Sequence, residues 1–387
     1  MTCNLAGEPL HCARHRPSRQ AAFHGQREHP ILAHPSYRLL PEWHPQDGLQ
    51  LTWPRPDGDW QPILECIEAT LERIVLATAD TQRVLISVPD AATRKRLATR
   101  FATLGVAPGR LRLIEIDTDD TWARDHGPLG VMGENGEMAL LDYTFTGWGG
   151  KFPALRDDAL TRALERQGVW ACPVVTKPLV LEGGGIETDG EGTLLATKEC
   201  LLNPNRNPDH SHEEIEAVLK AELGVSRILW LENGYLEGDD TDSHVDTLAR
   251  FCSPDTIAYV RCDDETDPHY AALKAMEAEL MAFRRLNGSP YRLVALPWPR
   301  AAFDPDDGHR LPATYANFLI INEAVLVPTY ADPADLGALN ALAGAFPGRR
   351  VIPVECHSVI RQHGSLHCLT MQLPRGTLDT ALFEEDA

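Results

Sequence analysis

The chain has 387 residues, 43% hydrophobic and 24% charged, with a formal net charge of −20. This is the composition of an ordinary soluble globular protein of one large or two average domains. No apolar stretch approaches the roughly 18 residues of a membrane span, and no basic run supports nucleic-acid binding.

Residues 1–36 are rich in His, Arg and Pro and lack an apolar core segment, so they read as a disordered N-terminal extension rather than a secretory signal. Cys3, His11, Cys12 and His15 lie there, but their spacing fits no standard zinc pattern. Nine cysteines, scattered without framework spacing, suggest free thiols in a reducing compartment, hence a cytoplasmic location.

From residue 37 onward the elements recur. A helix is expected over 63–77 and a strand over 83–88. A second helix, 91–104, opens on Asp90 as N-cap and closes at Gly105; strand 111–116 and the polar loop 118–128 follow. Helix 155–167 leads to strands 170–175 and 179–181, then Glu182 and three glycines. Helix 211–223 leads to strand 227–231 and the acidic segment 239–246. Helix 268–286 leads to strand 291–296 and segment 313–317; helix 333–346 leads to strand 350–354 and segment 364–368. Five passes of about sixty residues each signal a repeat architecture. Each pass ends its polar loop on a candidate site residue. The expectation is a single α/β domain, 37–387, whose five corners point inward and whose chain ends share a sheet, removing exposed edges.

The candidate site residues follow in order. Asp125, on a short loop after Trp122, can accept two hydrogen bonds from a planar guanidinium, and Trp122 can stack on such a cation. On residue type alone, Arg124 pairing with Asp125 and a core role for Trp122 is the simpler reading. Glu182 precedes Gly183-Gly184-Gly185, which lacks the Lys-Ser/Thr pair of a phosphate loop; a tight bend presenting Glu182 is expected. His244 and Asp246 open an apolar run, where strand alternation places both on one face. His244 suits general acid/base work. A zinc site needs further ligands, and those on offer are largely carboxylates. Glu237, Asp239 and Asp240 form an acidic run that suits a second positive charge on a substrate, Asp240 above all. Asn317 ends the fourth pass. Cys368, between a Gly/Ser loop and an apolar run, is placed as a nucleophile. No Gly-x-Ser-x-Gly elbow is present. Cysteine, histidine and converging carboxylates together point to cysteine chemistry on a guanidinium.

Ordered motifs carry a family resemblance: Leu40-Pro41-Glu42-Trp43, Trp122-Ala123-Arg124-Asp125, Trp148-Gly149-Gly150-Lys151, Glu182-Gly183-Gly184, His244-Val245-Asp246, Tyr315-Ala316-Asn317-Phe318 and His367-Cys368. With these, residues 37–375 resemble the agmatine deiminases and bacterial peptidylarginine deiminases of the guanidine-modifying superfamily. The resemblance implies a fivefold pseudosymmetric α/β propeller of the pentein type. It also implies Cys368 as nucleophile, His244 as acid/base, and Asp125, Asp246 and Glu182 as guanidinium-binding and His-orienting carboxylates. No metal or organic cofactor is expected. The expected ligand is a small cationic guanidino compound, agmatine before peptidylarginine, with a homo-oligomer left open. A peptidylarginine enzyme needs a cation for the substrate's carboxylate, for which Lys151 is the nearby candidate. Familiar agmatine deiminases often carry Gly-Gly-Gly-Asn-Ile before His-Cys, where this chain has Gln362-His363-Gly364-Ser365-Leu366.

Overall fold

A computed structural model describes residues 37–384. The N-terminal extension, with Cys3, His11, Cys12 and His15, lies outside the described residues. The described chain is a mixed α/β fold. Its strands form five small sheets and one two-stranded hairpin, Ala302–Phe303 with Arg310–Leu311.

The five sheets share an internal order: an antiparallel pair, then a parallel strand returning after a helix. Ala249–Ser253 pairs antiparallel with Thr256–Val260, which pairs parallel with Arg292–Leu296. Leu319–Ile320, Ala324–Thr329 and Arg350–Glu355 repeat the pattern, as do Ile186–Thr188, Thr193–Thr197 and Arg227–Leu231. The sheet of Tyr37–Leu39, Leu129–Gly133, Met138–Thr144 and Val174–Val180 carries one extra strand. In the fifth sheet Thr370–Pro374 pairs antiparallel with Gln46–Thr52, which pairs parallel with Arg83–Val88, followed by Leu111–Glu115. The second strand and the last of the described chain therefore share one sheet. Parallel neighbours need a crossover, and the helices supply it.

Local chemistry sets the helix ends. The Asp90 side chain accepts from the Thr93 amide at 2.7 Å and starts helix Ala91–Thr103. Ser211 and Glu214 form a reciprocal capping box for His212–Leu223. That helix stops at Gly224, in the left-handed region at φ 62°, where a Cβ would stand 1.9 Å from the Tyr37 carbonyl oxygen. Aliphatic strands buried on both faces, such as Ala324–Thr329, fill the core between helices and sheets.

Three expectations need correction. Residues 170–175 and 179–181 are not two strands: one strand runs Val174–Val180, and Trp170 makes only an isolated bridge to Leu378. Asp125 sits in a one-turn helix, Ala123–His126, rather than on an open loop. His244 and Asp246 do not open a strand, because Val245–Thr247 is a 3-10 turn and the strand begins at Ala249.

Candidate active site

Cys368 lies in the turn that enters strand Thr370–Pro374 and is 3% exposed. Its turn is fixed from two sides. The Cys368 carbonyl accepts from the Arg124 amide at 3.1 Å. Asn317 Oδ1 accepts from the amides of His367 (2.8 Å) and Cys368 (3.3 Å), and lies 3.4 Å from Cys368 Sγ. Asn317 Nδ2 donates to the Asp246 carbonyl at 3.3 Å. Asn317 therefore holds the Cys368 turn in place.

Around the thiol stand the carboxylates and the imidazole. Cys368 Sγ is 3.7 Å from Asp246 Oδ2. His244 Nδ1 is 3.6 Å from Asp125 Oδ1, and Nε2 is 3.9 Å from Glu182 Oε2. All these groups are buried. Asp125 is oriented by Trp148 Nε1 (3.0 Å to Oδ2) and by the Gly184 amide (3.0 Å to Oδ1). Glu182 Oε1 accepts from Arg206 Nε at 3.0 Å. The Gly183–Gly185 turn allows this crowding: a Cβ on Gly184 would stand 2.6 Å from His244 Nδ1 and 2.7 Å from Asp125 Oδ1. So the glycine run does bring Glu182 to the cluster. Glu182 Oε2, Asp246 Oδ1 and both His244 ring nitrogens have no hydrogen-bond partner among the described residues. Buried polar atoms left so are the expected partners of a polar ligand.

The electrostatics follow from crowding acids out of water. Burial pushes Asp125 up to about 6, with Asp246 and Glu182 adding to it against the pull of His244. Burial disfavours the charged form of His244, but Asp125 and its other neighbours outweigh it and hold the imidazolium well above the ordinary range. Burial, then the charges of Asp246 and Asp125, push the Cys368 thiol well up. Both shifts favour the protonated forms, the neutral thiol of Cys368 and the imidazolium of His244.

Behind the nucleophile lies a buried charge network that the sequence reading did not assign. His367 Nδ1 is 2.8 Å from Asp246 Oδ2, and its Nε2 is 2.6 Å from Glu42 Oε2. Arg250 joins Glu42 (2.7 Å) to Glu187 (2.6 Å), and Arg124 reaches Glu42 at 3.5 Å. Burial alone would raise Glu42, but Arg250, His367 and Arg124 hold it far below the carboxylate range. Burial likewise acts against Asp246, and His367 overrides it, keeping Asp246 ionised. Arg124 turns to Glu42 and Gln372 rather than to Asp125, so the simpler reading of Arg124 does not hold.

A pocket with about 440 Å³ of empty space opens above Asp125 and Cys368. Trp122, Trp148 and Phe152 line it, and Asp240, Asp59 and His363 lie along it. Trp122 is held by its Nε1 bond to Asp120 (2.9 Å) and by the tilted ring of Trp60. Asp240 keeps a 41% exposed side chain. Lys151 donates to the Asp240 carbonyl (2.6 Å) and to Asp242 (2.8 Å), bracing the acidic loop from outside.

The structure thus brings together Cys368, His244, Asp125, Glu182, Asp246 and Asn317, with Trp122 and Asp240 on the pocket and Lys151 behind its rim. Sequence reasoning assigned nothing to Glu42, His367, Arg206 or Trp148. The run Asn203-Pro204-Asn205-Arg206-Asn207-Pro208 was a usable signal for Arg206, as an arginine among loop-forming amides.

Residues 38–374 match the family model of the Porphyromonas-type peptidyl-arginine deiminases. The chain is 35% identical over 359 residues to the agmatine deiminase of Stutzerimonas stutzeri (strain A1501), across 87% of this chain and 95% of the relative. Among solved structures, a Porphyromonas gingivalis protein described as a candidate arginine deiminase is 48% identical, with a TM-score of 0.82 over 88% of this chain and 99% of that one. A variant of C. jejuni agmatine deiminase with substrate bound is 36% identical, with a TM-score of 0.81 over 88% of this chain and 97% of that one.

Proposed function

The chain belongs to the Porphyromonas-type peptidyl-arginine deiminase family, and on that premise we propose that it hydrolyses a guanidinium group. The preferred substrate is agmatine, giving N-carbamoylputrescine and ammonia. The observation that carries this reading is the buried cluster of one thiol, one imidazole and three carboxylates at the base of a pocket with an acidic rim.

The reaction proceeds in two halves. The guanidinium enters among Asp125, Glu182 and Asp246, which accept its in-plane N–H donors and set its carbon against Cys368 Sγ. Its charge offsets the carboxylates that keep the thiol protonated, so the thiol gives its proton to solvent and the thiolate forms beside bound substrate. The thiolate adds to the guanidinium carbon; His244 gives a proton to one terminal nitrogen, and ammonia leaves. The product of this half is a planar S-alkyl thiouronium on Cys368. His244, now neutral, takes a proton from water, whose oxygen adds to the same carbon. The C–S bond breaks, and the departing thiolate takes the proton of the new hydroxyl, restoring the thiol as the neutral ureido product leaves. In total, one water is consumed and one ammonium released.

Trp122 and Trp148 wall the substrate's carbon chain, and Asp240 takes the far ammonium. Lys151 supports the small amine over the peptide, because its ammonium is already engaged by Asp242 and the Asp240 carbonyl rather than facing a substrate carboxylate. We further read residues 37–384 as one catalytic unit whose five sheets are the blades of a propeller around this site. Ammonia release from agmatine, free arginine and C-terminal arginine peptides tests the proposal. Agmatine should lead by at least about tenfold in kcat/KM; peptides ahead of agmatine would transfer the assignment to peptidylarginine.

A further inference from the structure

His363 has a left-handed backbone, at φ 69°. A non-glycine residue is disfavoured in this conformation, and such outliers point toward function. The next residue shows the contrast. Gly364 has no room for a side chain, since a Cβ there would stand 2.2 Å from Trp122 Cζ3. His363 keeps its imidazole, and that imidazole lines the pocket.

The ring's hydrogen bonding fixes what it offers. Its Nδ1 is 2.8 Å from the Gly238 carbonyl oxygen. A carbonyl only accepts, so Nδ1 carries a proton. Nε2 then faces Asp240, 3.5 Å from Oδ2. In the neutral ring this nitrogen holds a lone pair. The lone pair and the carboxylate oxygen form two acceptors side by side, and a primary ammonium has three donors to satisfy both. In the charged ring, Nε2–H donates to Asp240 itself.

The surroundings hold this arrangement. His309, on the hairpin 302–311, stacks on the His363 ring at 5.4 Å, and its own Nδ1 is 2.5 Å from Asp307. Arg361 in the preceding turn is directed to Asp304 (3.0 Å) and Asp306 (2.5 Å) on that hairpin. Gln362 donates to the Asp59 carbonyl, and the Asp59 side chain is the other acid of the pocket's outer part. Asp240 is thus the charged group in contact with Nε2.

We propose that His363 and Asp240 together bind the tail ammonium of the substrate, and that protonation of His363 competes with that ammonium for Asp240. The inference rests on the guanidinium-hydrolase reading of the pocket.

The test compares agmatine with butylguanidine, which has the same guanidinium and carbon chain without the amine. KM and kcat are measured from pH 5.5 to 8.5 for the wild type, His363→Gln and His363→Gly; a Ki replaces KM if butylguanidine only inhibits. Glycine accepts the backbone conformation, which guards the fold. A histidine changes charge within this pH range, whereas the shared catalytic groups cancel in the ratio of the two KM values. For the wild type, the KM of agmatine relative to butylguanidine should rise about tenfold from pH 8 to pH 5.5. In both variants the ratio should be flat with pH, and agmatine should lose most of its advantage at pH 8. A flat wild-type ratio, or an equal slope in the variants, overturns the inference while leaving the hydrolase reading intact. Absence of turnover of both compounds by the wild type overturns both.

Discussion

The floor and the rim of the pocket are built on opposite principles. On the floor, Asp125, Glu182 and Asp246 are buried and held by Trp148, Arg206, His367 and the Gly184 amide, with the buried His244 ring between them. At the rim, Asp240 and His363 are partly exposed and approach each other only loosely, at 3.5 Å. On the proposed reading the floor receives one planar cation, and any error there leaves a buried charge unpaired. The rim works in water, where one contact more or less is a modest effect. On the proposed reading, substrate chemistry and substrate choice are thereby separated in space.

Four measurements test that separation, from the largest effect to the smallest. Cys368→Ser should reduce turnover by about ten-thousandfold or more with the fold unchanged by circular dichroism; retained turnover would remove the nucleophile and the mechanism with it. Glu42→Ala never touches substrate, yet it should destabilise the protein by about 3–5 kcal/mol, because Arg250 and His367 lose a buried counter-charge. Denaturant unfolding reads this. The sign with pH is fixed: Glu42 is depressed on folding, so its contribution is full above the ordinary Glu range and declines as pH falls below it. An acid-unfolding midpoint the same in wild type and Glu42→Gln would contradict it.

The third measurement concerns the resting thiol. Since Cys368 is pushed well up by burial and by Asp246 and Asp125, its alkylation by iodoacetamide should be slow at pH 7 and still climbing at pH 9. A plateau below about pH 7.5 would mean that a thiolate exists before substrate arrives. The smallest effect belongs to the rim. Asp240→Asn should raise KM for agmatine about tenfold more than for butylguanidine, with kcat little changed. Equal losses on the two would show that Asp240 does not read the amine.

The fold's local signals were well placed along the chain. Strands Arg83–Val88 and Arg227–Leu231 fall where the β-branched and aliphatic runs put them, and Asp90 caps as its position before an amphipathic run implies. Alternation failed at His244 and Asp246. Both side chains reach the site, but from a 3-10 turn, which a two-residue spacing resembles when read as strand. Glu42, Arg250 and His367 were illegible for a different reason. Their function lies in partners 208 and 325 residues away, and no local pattern encodes a pairing at that range.

The shared sheet of Gln46–Thr52 and Thr370–Pro374 has a consequence for how the protein comes to life during synthesis. The early strand leaves the ribosome about 300 residues before its antiparallel partner, so one edge of its sheet waits open through most of translation. The late strand closes that edge and, in the same event, seats the turn of Cys368 against Arg124, Asn317 and Asp246. The seating of Cys368 and the closing of the exposed edge thus depend on one strand. Contacts of such long range make folding slow, and a chain that still lacks this strand lacks the seated Cys368 turn.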